Sequence, residues 1–328
     1  MTITNTPSKF HAAFNPIIFE VTKATGETEA TLDIMDASNN LIVTQSRSFF
    51  GPTTQFDISD VINKLFTKTE PVFVNGIAVD NRLFYPYKVN NVLYVAVNAS
   101  VDQGISSALT GSVGMILSSF SSYKVIENYP FDISVLVDDS IYSLTAQSVS
   151  RITNVLDFLD QTGLTVYLTD NNGEIIRDDD NQPITLADSD VIVDFYVAPD
   201  SPFYIRWINK KGGVDYWMFS YNQDITTTLK SSSSYRKFYT DSEAESGSQI
   251  TYAKETDGTV LAGAEGLTKE EYTALSLIPD SPMIQWYYEE ISKWITLTID
   301  QAENVRSTRS NVNSIELLFT LPRRNTQF

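Results

Sequence analysis

The stretch SPFYIRWINKKGGVDYWMFSY, residues 201–221, decides the fold class of this chain. Its two aromatic-rich runs, 203–208 and 216–221, have the composition of β-strands because β-branched and aromatic side chains pack well on a pleated surface. The residues between them, 209–213, are Asn-Lys-Lys-Gly-Gly and have turn-forming chemistry. The stretch therefore predicts a β-hairpin.

Strand-like segments of the same kind recur outward from this hairpin along the whole chain. In most of them apolar and polar residues alternate, which is typical of strands with one buried and one solvent-facing side. Two further pairs predict hairpins, one closed by the turn cluster 36–40 and one by Asn172-Gly173, a dipeptide suited to the positive φ of tight turns. The predicted strands lie within 17–21, 31–35, 41–44, 71–79, 92–98, 123–144, 164–169, 174–177, 191–197, 283–288, 294–299 and 315–321.

Three segments carry the three- and four-residue apolar spacing of short amphipathic helices. The first two are 59–66 and 152–159. The third has a capping box, Thr268 with Glu271, in which each residue hydrogen-bonds the backbone N–H of the other. It predicts a helix over 269–278, because the following proline disfavours helical backbone in the residue before it.

Together these patterns predict a mostly β protein with a few short helices, built of two or three β-sandwich-like domains, the C-terminal one α+β. The boundaries are placed in a Ser/Gly-rich stretch, 100–122, and a Ser/Thr-rich stretch that begins after Gln223 and is predicted to be an exposed connection. The predicted domains are 1–120, 121–225 and 226–328.

Composition excludes several classes of function. The chain has 328 residues, with 23 Lys plus Arg against 41 Asp plus Glu, so its formal net charge of −18 repels phosphate backbones and anionic lipid surfaces. Its lack of cysteine excludes disulfides and thiolate metal sites. No signal peptide or membrane-spanning apolar run is visible. We therefore expect no nucleic-acid partner and no membrane partner. We also expect the protein to be synthesised in a cytoplasm.

The residues needed for common catalytic designs are scarce. The single histidine, His11, lies in a polar segment and is predicted to be a surface residue rather than a catalytic base. The acidic cluster 178–180 with Asp188 and Asp190 does not match the register of a calcium loop. We therefore expect no catalytic residue, no cofactor and no metal site. A hydrolase with a carboxylate pair stays open as an alternative, because acidic residues are plentiful.

Large aromatic residues are the candidate functional residues that remain. They supply contact energy at subunit interfaces, and exposed clusters of them also stack on sugar rings. We expect most of them in the core or at an interface. The candidates for contact with a neighbouring subunit or a glycan are Tyr204, Trp207, Trp217, Trp286 and Trp294.

The hairpin motif 201–209 with 212–219 resembles a recurring motif in structural proteins of tailed phages and prophages of Bacteroidetes, including crAss-like phages. The opening 14–17 and the segment from Gly266 to the Trp294 strand resemble the same proteins. The resemblance implies a neck, ring, tail or baseplate protein of the virion that assembles around a symmetry axis with copies of itself and neighbouring virion proteins. The alternative is a carbohydrate- or receptor-binding module.

Overall fold

The computed structural model divides the chain into two compact units, 1–197 with 208–215 and 198–207 with 216–328. The structure describes residues 2–74, 77–100, 115–120, 122–126, 128–137, 140–145, 192–196, 202–236, 249–306, 313–322 and 324–327. The helix predicted at 152–159 and the hairpin predicted around Asn172-Gly173 lie outside the described residues. The division into three domains, 1–120, 121–225 and 226–328, stays a prediction.

The described part of the first unit consists of short strands and one helical turn, α1 (Ser59–Ile62). Its strands are β1 (Thr2–Asn5), β2 (Phe10–Ala12), β3 (Ile18–Thr22), β4 (Glu29–Asp36), β5 (Leu41–Ser48), β6 (Thr53–Asp57), β7 (Ile77–Val79), β8 (Phe84–Val89), β9 (Val92–Val97), β10 (Met115–Ile116), β11 (Ser122–Ile126), β12 (Ile133–Val137), β13 (Ser140–Leu144) and β14 (Ile192–Tyr196). They form sheets in the orders β1-β3-β6, β2-β9-β8-β4-β5, β10-β12-β13-β7 and β11-β14.

The predicted hairpin of β4 and β5 is confirmed, and it shows how alternation builds the core. Ala30, Leu32 and Ile34 alternate with exposed residues and are fully buried. The turn is held by Asp36, whose carboxylate accepts hydrogen bonds from the backbone and side-chain amides of Asn40. The turn cluster thus fixes the register that places every second residue of β4 in the core.

The prediction that His11 is a surface residue is wrong. Strand β2 pairs in parallel with β9, and this pairing carries His11 into the interior, where it is 8% exposed. Its Nδ1 donates to the Ser8 carbonyl at 2.9 Å and its Nε2 accepts from the Tyr87 hydroxyl at 3.1 Å. Both ring nitrogens are therefore satisfied in the neutral form, and burial lowers the pKa of His11.

The described part of the second unit contains longer strands, one α-helix, α2 (Lys269–Leu275), and two 3-10 helices, Ile278–Asp280 and Glu289–Ile291. Its strands are β15 (Phe203–Ile208), β16 (Val214–Phe219), β17 (Tyr221–Arg236), β18 (Gln249–Ala264), β19 (Ile284–Tyr288), β20 (Lys293–Arg306), β21 (Asn313–Thr320) and β22 (Arg324–Gln327), with the tip of the β15–β16 hairpin, 208–215, assigned to the first unit. The sheet order is β16-β15-β19-β20-β21-β18-β17, and β22 also pairs with β18. The mostly β fold class with few short helices is confirmed.

Three buried phenylalanines join the strands of the second unit into one core. The ring of Phe203 on β15 lies 5.2 Å from that of Phe319 on β21, and Phe219 on β16 lies 6.2 Å from Phe319, between ring centroids. All three side chains are at most 2% exposed. Strand β20 pairs with β19 up to Leu297 and with β21 from Thr298 onward, and its register shifts just after this change of partner, between Ile299 and Gln301. Such a bulge lets one strand bend around a sandwich-like core.

Two local predictions in the second unit had different outcomes. The capping box is confirmed: the Thr268 hydroxyl accepts from the backbone amide of Glu271, whose carboxylate accepts from the amide of Thr268. The Ser/Thr-rich part of the connection predicted after Gln223 is instead the 16-residue strand β17, paired along its length with β18, and the acidic part predicted at 241–248 lies outside the described residues. Ser and Thr lack the apolar alternation used to predict strands, yet threonine has a high β propensity and the partner strand supplies the backbone hydrogen bonds.

Candidate interaction surfaces

An exposed apolar segment follows Pro71 in the first unit. The side chains of Val72, Val74 and Val79 are 82%, 67% and 46% exposed. A strand is predicted over 71–79, and among the described residues of that range the strand is Ile77–Val79, which is the end strand of its four-stranded sheet. Apolar side chains concentrated in this way on a surface mark sites of protein association. The exposure of these valines to solvent could not be predicted from the alternation of apolar and polar residues.

A groove of about 520 Å³ adjoins this segment. Most of its lining is apolar, with a few hydroxyl, amide and carboxyl groups. The lining residues are Leu65, Thr67, Thr69, Glu70, Pro71, Val72, Val79, Asn81, Phe84, Tyr85 and Pro86. We call the groove together with 72–74 the apolar surface. It combines a largely apolar groove with exposed apolar side chains, an arrangement that suits insertion of a partner's side chains.

A buried ion pair fixes one end of the apolar surface. The guanidinium of Arg82, 1% exposed, donates two hydrogen bonds to the fully buried carboxylate of Asp80, at 2.6 and 2.8 Å, and one to Glu70 at 2.6 Å. The Ser143 hydroxyl also donates to Asp80, and the Asn98 amide donates to the Arg82 carbonyl. Burial disfavours the charged guanidinium, but the contacts with Asp80 outweigh it and raise the pKa of Arg82. No pattern in the sequence had indicated that Arg82, Asp80 and Glu70 form this network.

The tip of the β15–β16 hairpin packs closely within the first unit. Asn209 donates from its side-chain amide to the Leu117 carbonyl at 3.0 Å and accepts from the backbone amides of Lys211 and Gly213. Gly212 has φ +82°, and a Cβ on Gly213 would lie 1.8 Å from the Leu117 carbonyl oxygen. The two glycines of the sequence motif are therefore required for the turn and for this close approach.

The carboxylate of Asp215 is buried at the base of the same tip. It accepts a hydrogen bond from the Ser118 hydroxyl at 3.1 Å and another from the backbone amide of Ser119 at 3.1 Å. No lysine or arginine forms a salt bridge with it among the described residues. Burial raises the pKa of Asp215 to about 6, although these hydrogen bonds favour the charged form.

We expect Asp215→Asn to remove a pH dependence of stability. A carboxyl group with a pKa near 6 when folded and about 3.8 when unfolded contributes stability below pH 4 that is lost as the pH rises through 6. Between pH 4 and 7 the wild type should lose about 2–3 kcal/mol relative to the variant, at about 1.4 kcal/mol per pKa unit. Denaturant titrations at several pH values, followed by hydrogen exchange in β12, would measure this difference.

His11 provides a comparison within the same protein, because its contribution to stability changes with pH in the opposite direction to that of Asp215. Its lowered pKa means that stability is present above its ordinary value of 6.5 and is lost as the pH falls below that value. His11→Gln should therefore flatten the loss of stability as the pH falls below 6.5, while Asp215→Asn flattens the loss as the pH rises from 4 through 6. Equal pH profiles for the wild type and Asp215→Asn would contradict the proposed burial of a titrating carboxyl group.

The five aromatic residues singled out from the sequence fall into two groups by burial. Tyr204 and Trp207 are 1% exposed, whereas Trp217, Trp286 and Trp294 are half-buried. The structure brings Tyr204 and Trp294 together, with 5.8 Å between ring centroids. Their predicted contact with a neighbouring subunit or a glycan stays a prediction.

The surroundings of Trp294 favour packing over sugar stacking. The Arg206 guanidinium lies 4.1 Å from the Trp294 ring centroid, a cation–π contact that occupies one ring face. Tyr216 and Tyr287 are tilted against the same ring at 6.0 and 5.2 Å. A sugar needs an open ring face, so this cluster serves first to hold β15, β16, β19 and β20 together.

The described residues contain no group of three or more His, Cys, Asp or Glu that could hold a metal ion. Among the helices of that part of the chain, none has the length and apolar character needed to cross a membrane.

This chain has a distant structural likeness to a protein of a tail particle. No protein-family model matches the sequence, and no curated protein matches it. Among solved structures, a chain from the tail of an empty GTA particle, determined by helical refinement with C6 symmetry, aligns at 10% identity with a TM-score of 0.24. The alignment covers 38% of this chain and 95% of that one. A likeness at this TM-score establishes neither fold nor function.

Proposed function

We propose that this chain is a structural component of a tailed-phage virion, without a catalytic step, that is held in the particle by contacts with copies of itself and with neighbouring virion proteins. The observation that carries the proposal is the apolar surface of the first unit. Val72 and Val74 expose most of their side chains beside an apolar groove. Covering such side chains removes apolar area from water, which is the main driving force of protein association.

The apolar surface is also preorganised for binding. Glu70 lines the groove and is held by the buried Arg82, which is fixed in turn by Asp80. A surface whose geometry is already set loses less conformational entropy when a partner binds. This feature suits a permanent subunit contact.

The finer part of the proposal is a ring-forming neck, tail or baseplate protein. It is supported by the resemblance of the hairpin motif at 201–219 to virion structural proteins. Ring assembly is head-to-tail, so each subunit presents two different faces to its neighbours. The apolar surface would be one of these faces.

The double substitution Val72→Asp/Val74→Asp is expected to lower incorporation of the chain into particles at least tenfold. Each valine contributes about 1.5 kcal/mol when fully buried at a contact, and a carboxylate there is left desolvated. Quantitative mass spectrometry of purified particles would measure incorporation. Val92→Asp, at a residue 52% exposed on β9, is the matched control and should leave incorporation unchanged.

Two outcomes would count against the proposal. Absence of the wild-type chain from purified particles would refute the virion assignment. Normal incorporation of the double variant, with an unchanged melting temperature, would refute the role of the apolar surface.

A further inference from the structure

The outer edge of β17 is an open hydrogen-bonding edge. Within the part of the chain that the structure describes, β17 pairs only with β18, so it is the last strand of its sheet. The side chains of Asp224, Ile225, Thr226, Thr227 and Thr228 are all exposed. An open edge of this kind presents alternate backbone N–H and C=O groups to any strand that can align with it.

The usual protections of an edge strand are missing from the middle of β17. Its register with β18 is regular from Gln223 to Ser231, and the register shifts lie on either side of that run. The run contains no proline and only two charged residues, Asp224 and Lys230. Short edges, prolines, bulges and dense charge are the features that normally block edge-to-edge pairing. This nine-residue run, about 30 Å long, therefore stays competent to pair.

The sequence of the same run is complementary to itself when read in opposite directions. The run is QDITTTLKS, with Thr227 at its centre. In an antiparallel pair of two copies centred on Thr227, Asp224 lies opposite Lys230 and Ile225 lies opposite Leu229. The two flanking threonines, 226 and 228, also lie opposite each other, so every position meets a chemically suitable partner.

We infer that two copies of this chain associate by antiparallel pairing of β17 with β17 about a two-fold axis at Thr227. In this register Asp224 is paired twice with Lys230 and Ile225 twice with Leu229 at facing positions, which lie about 4.5–5.5 Å apart on adjacent strands. Opposite charges and apolar pairs at facing positions stabilise a sheet, and a register shift of one residue would separate all four pairs. The occupant of the edge is therefore a second copy in one defined register.

This contact goes beyond the virion proposal. It is isologous, since the same surface is used by both copies, and it closes as a dimer. A head-to-tail ring uses two different faces, so the β17 contact would be an additional joint. The dimer is expected of the isolated chain, whether or not particles contain it.

Disulfide trapping tests the register directly, because the chain has no cysteine of its own. In Thr227→Cys the two sulfurs face each other across the axis, within the usual Cα separation of disulfides. In the matched control Ile225→Cys, the two equivalent residues lie about 14 Å apart along the paired strands and cannot be bridged. We expect oxidised Thr227→Cys to run as a dimer on a non-reducing gel and Ile225→Cys to remain a monomer.

Charge exchange gives a second, reversible readout by sedimentation velocity. Asp224→Lys places like charges at both ends of the pair and is expected to weaken the dimer about tenfold, whereas Asp224→Lys/Lys230→Asp should restore wild-type affinity. The control Thr298→Lys, at an exposed position of β20 within the sheet, should have no effect.

Three results would overturn the inference. The first is a monomeric wild type at all concentrations with no trapped Thr227→Cys dimer. The second is equal trapping of both cysteine variants, which would indicate random collision. The third is a dimer that is insensitive to the charge exchange. A dimer trapped as expected, in a chain absent from particles, would refute only the proposed virion role.

Discussion

Replacement of Arg82 by methionine is expected to lower the free energy of unfolding of the first unit by about 3–5 kcal/mol, the usual cost of removing one partner from a buried ion pair. Methionine retains the aliphatic part of the side chain and removes the guanidinium, so the loss comes mainly from the charge and its hydrogen bonds. The carboxylate of Asp80, which is fully buried, would keep only the Ser143 hydroxyl among its described side-chain donors. Glu70 would also lose its anchor beside the groove.

The measurement must report on the first unit alone. All four tryptophans belong to the second unit, so tryptophan fluorescence reports on that unit rather than on the first. Hydrogen exchange of β13, which carries Ser143, is the appropriate probe. Arg47→Met is the control: Arg47 is exposed and its guanidinium donates a hydrogen bond to the Gln55 carbonyl at the surface, so we expect a loss below about 1 kcal/mol.

A double variant separates the charge argument from a general packing defect. Asp80→Asn/Arg82→Met removes both buried charges, so it should recover part of the stability lost in Arg82→Met. A double variant less stable than Arg82→Met would show that the ion pair is not the source of the loss. A single variant within 1 kcal/mol of wild type would contradict the buried network itself.

Local chemistry predicted the parts of this fold that depend on near neighbours. The capping box at Thr268 and Glu271 forms as expected because both partners lie within one helical turn. The β15–β16 hairpin forms at the predicted turn, where Gly212 adopts a φ of +82° and the Asn209 side chain accepts from the backbone amides of Lys211 and Gly213. In each case the sequence contains the whole interaction within a few residues.

Pairings between distant segments were not predictable in the same way. His11 is buried because β2 pairs in parallel with β9, more than 80 residues later, and nothing near the histidine signals this. Strand β17 is a strand because β18 supplies its hydrogen bonds, although its Ser/Thr-rich sequence lacks alternation. Long-range strand pairing overrides local pattern, because backbone groups must find partners wherever the fold places them.

The candidate site shows the same division. The aromatic residues were identifiable because large side chains stand out in the sequence, but their burial depends on which strands lie side by side. Trp207 is 1% exposed within β15, whereas Val72 and Val74 are open to solvent. From residue type alone we would have expected the opposite, with the valines buried and the tryptophan exposed at an interaction surface. The apolar surface could be recognised only from the folded structure.

Replacement of Phe319 by alanine is expected to lower the free energy of unfolding of the second unit by about 3–5 kcal/mol, the range found when a large buried aromatic is truncated. Phe319 is fully buried between the rings of Phe203 and Phe219, so its removal opens a cavity at the point where β15, β16 and β21 meet. Those strands are held in place by the rest of the sheet and cannot close the gap completely.

Tryptophan fluorescence is the right probe for this variant, because Trp286 packs against Phe203 at 5.6 Å and belongs to the same core. Leu318→Ala is the matched control: this half-buried neighbour lies on the opposite face of β21, so its truncation should cost about 1 kcal/mol. Phe319→Leu, which leaves a smaller cavity, should fall between the two. If Phe319→Ala and Leu318→Ala shift the denaturant midpoint equally, the three phenylalanines do not form the core that joins these strands.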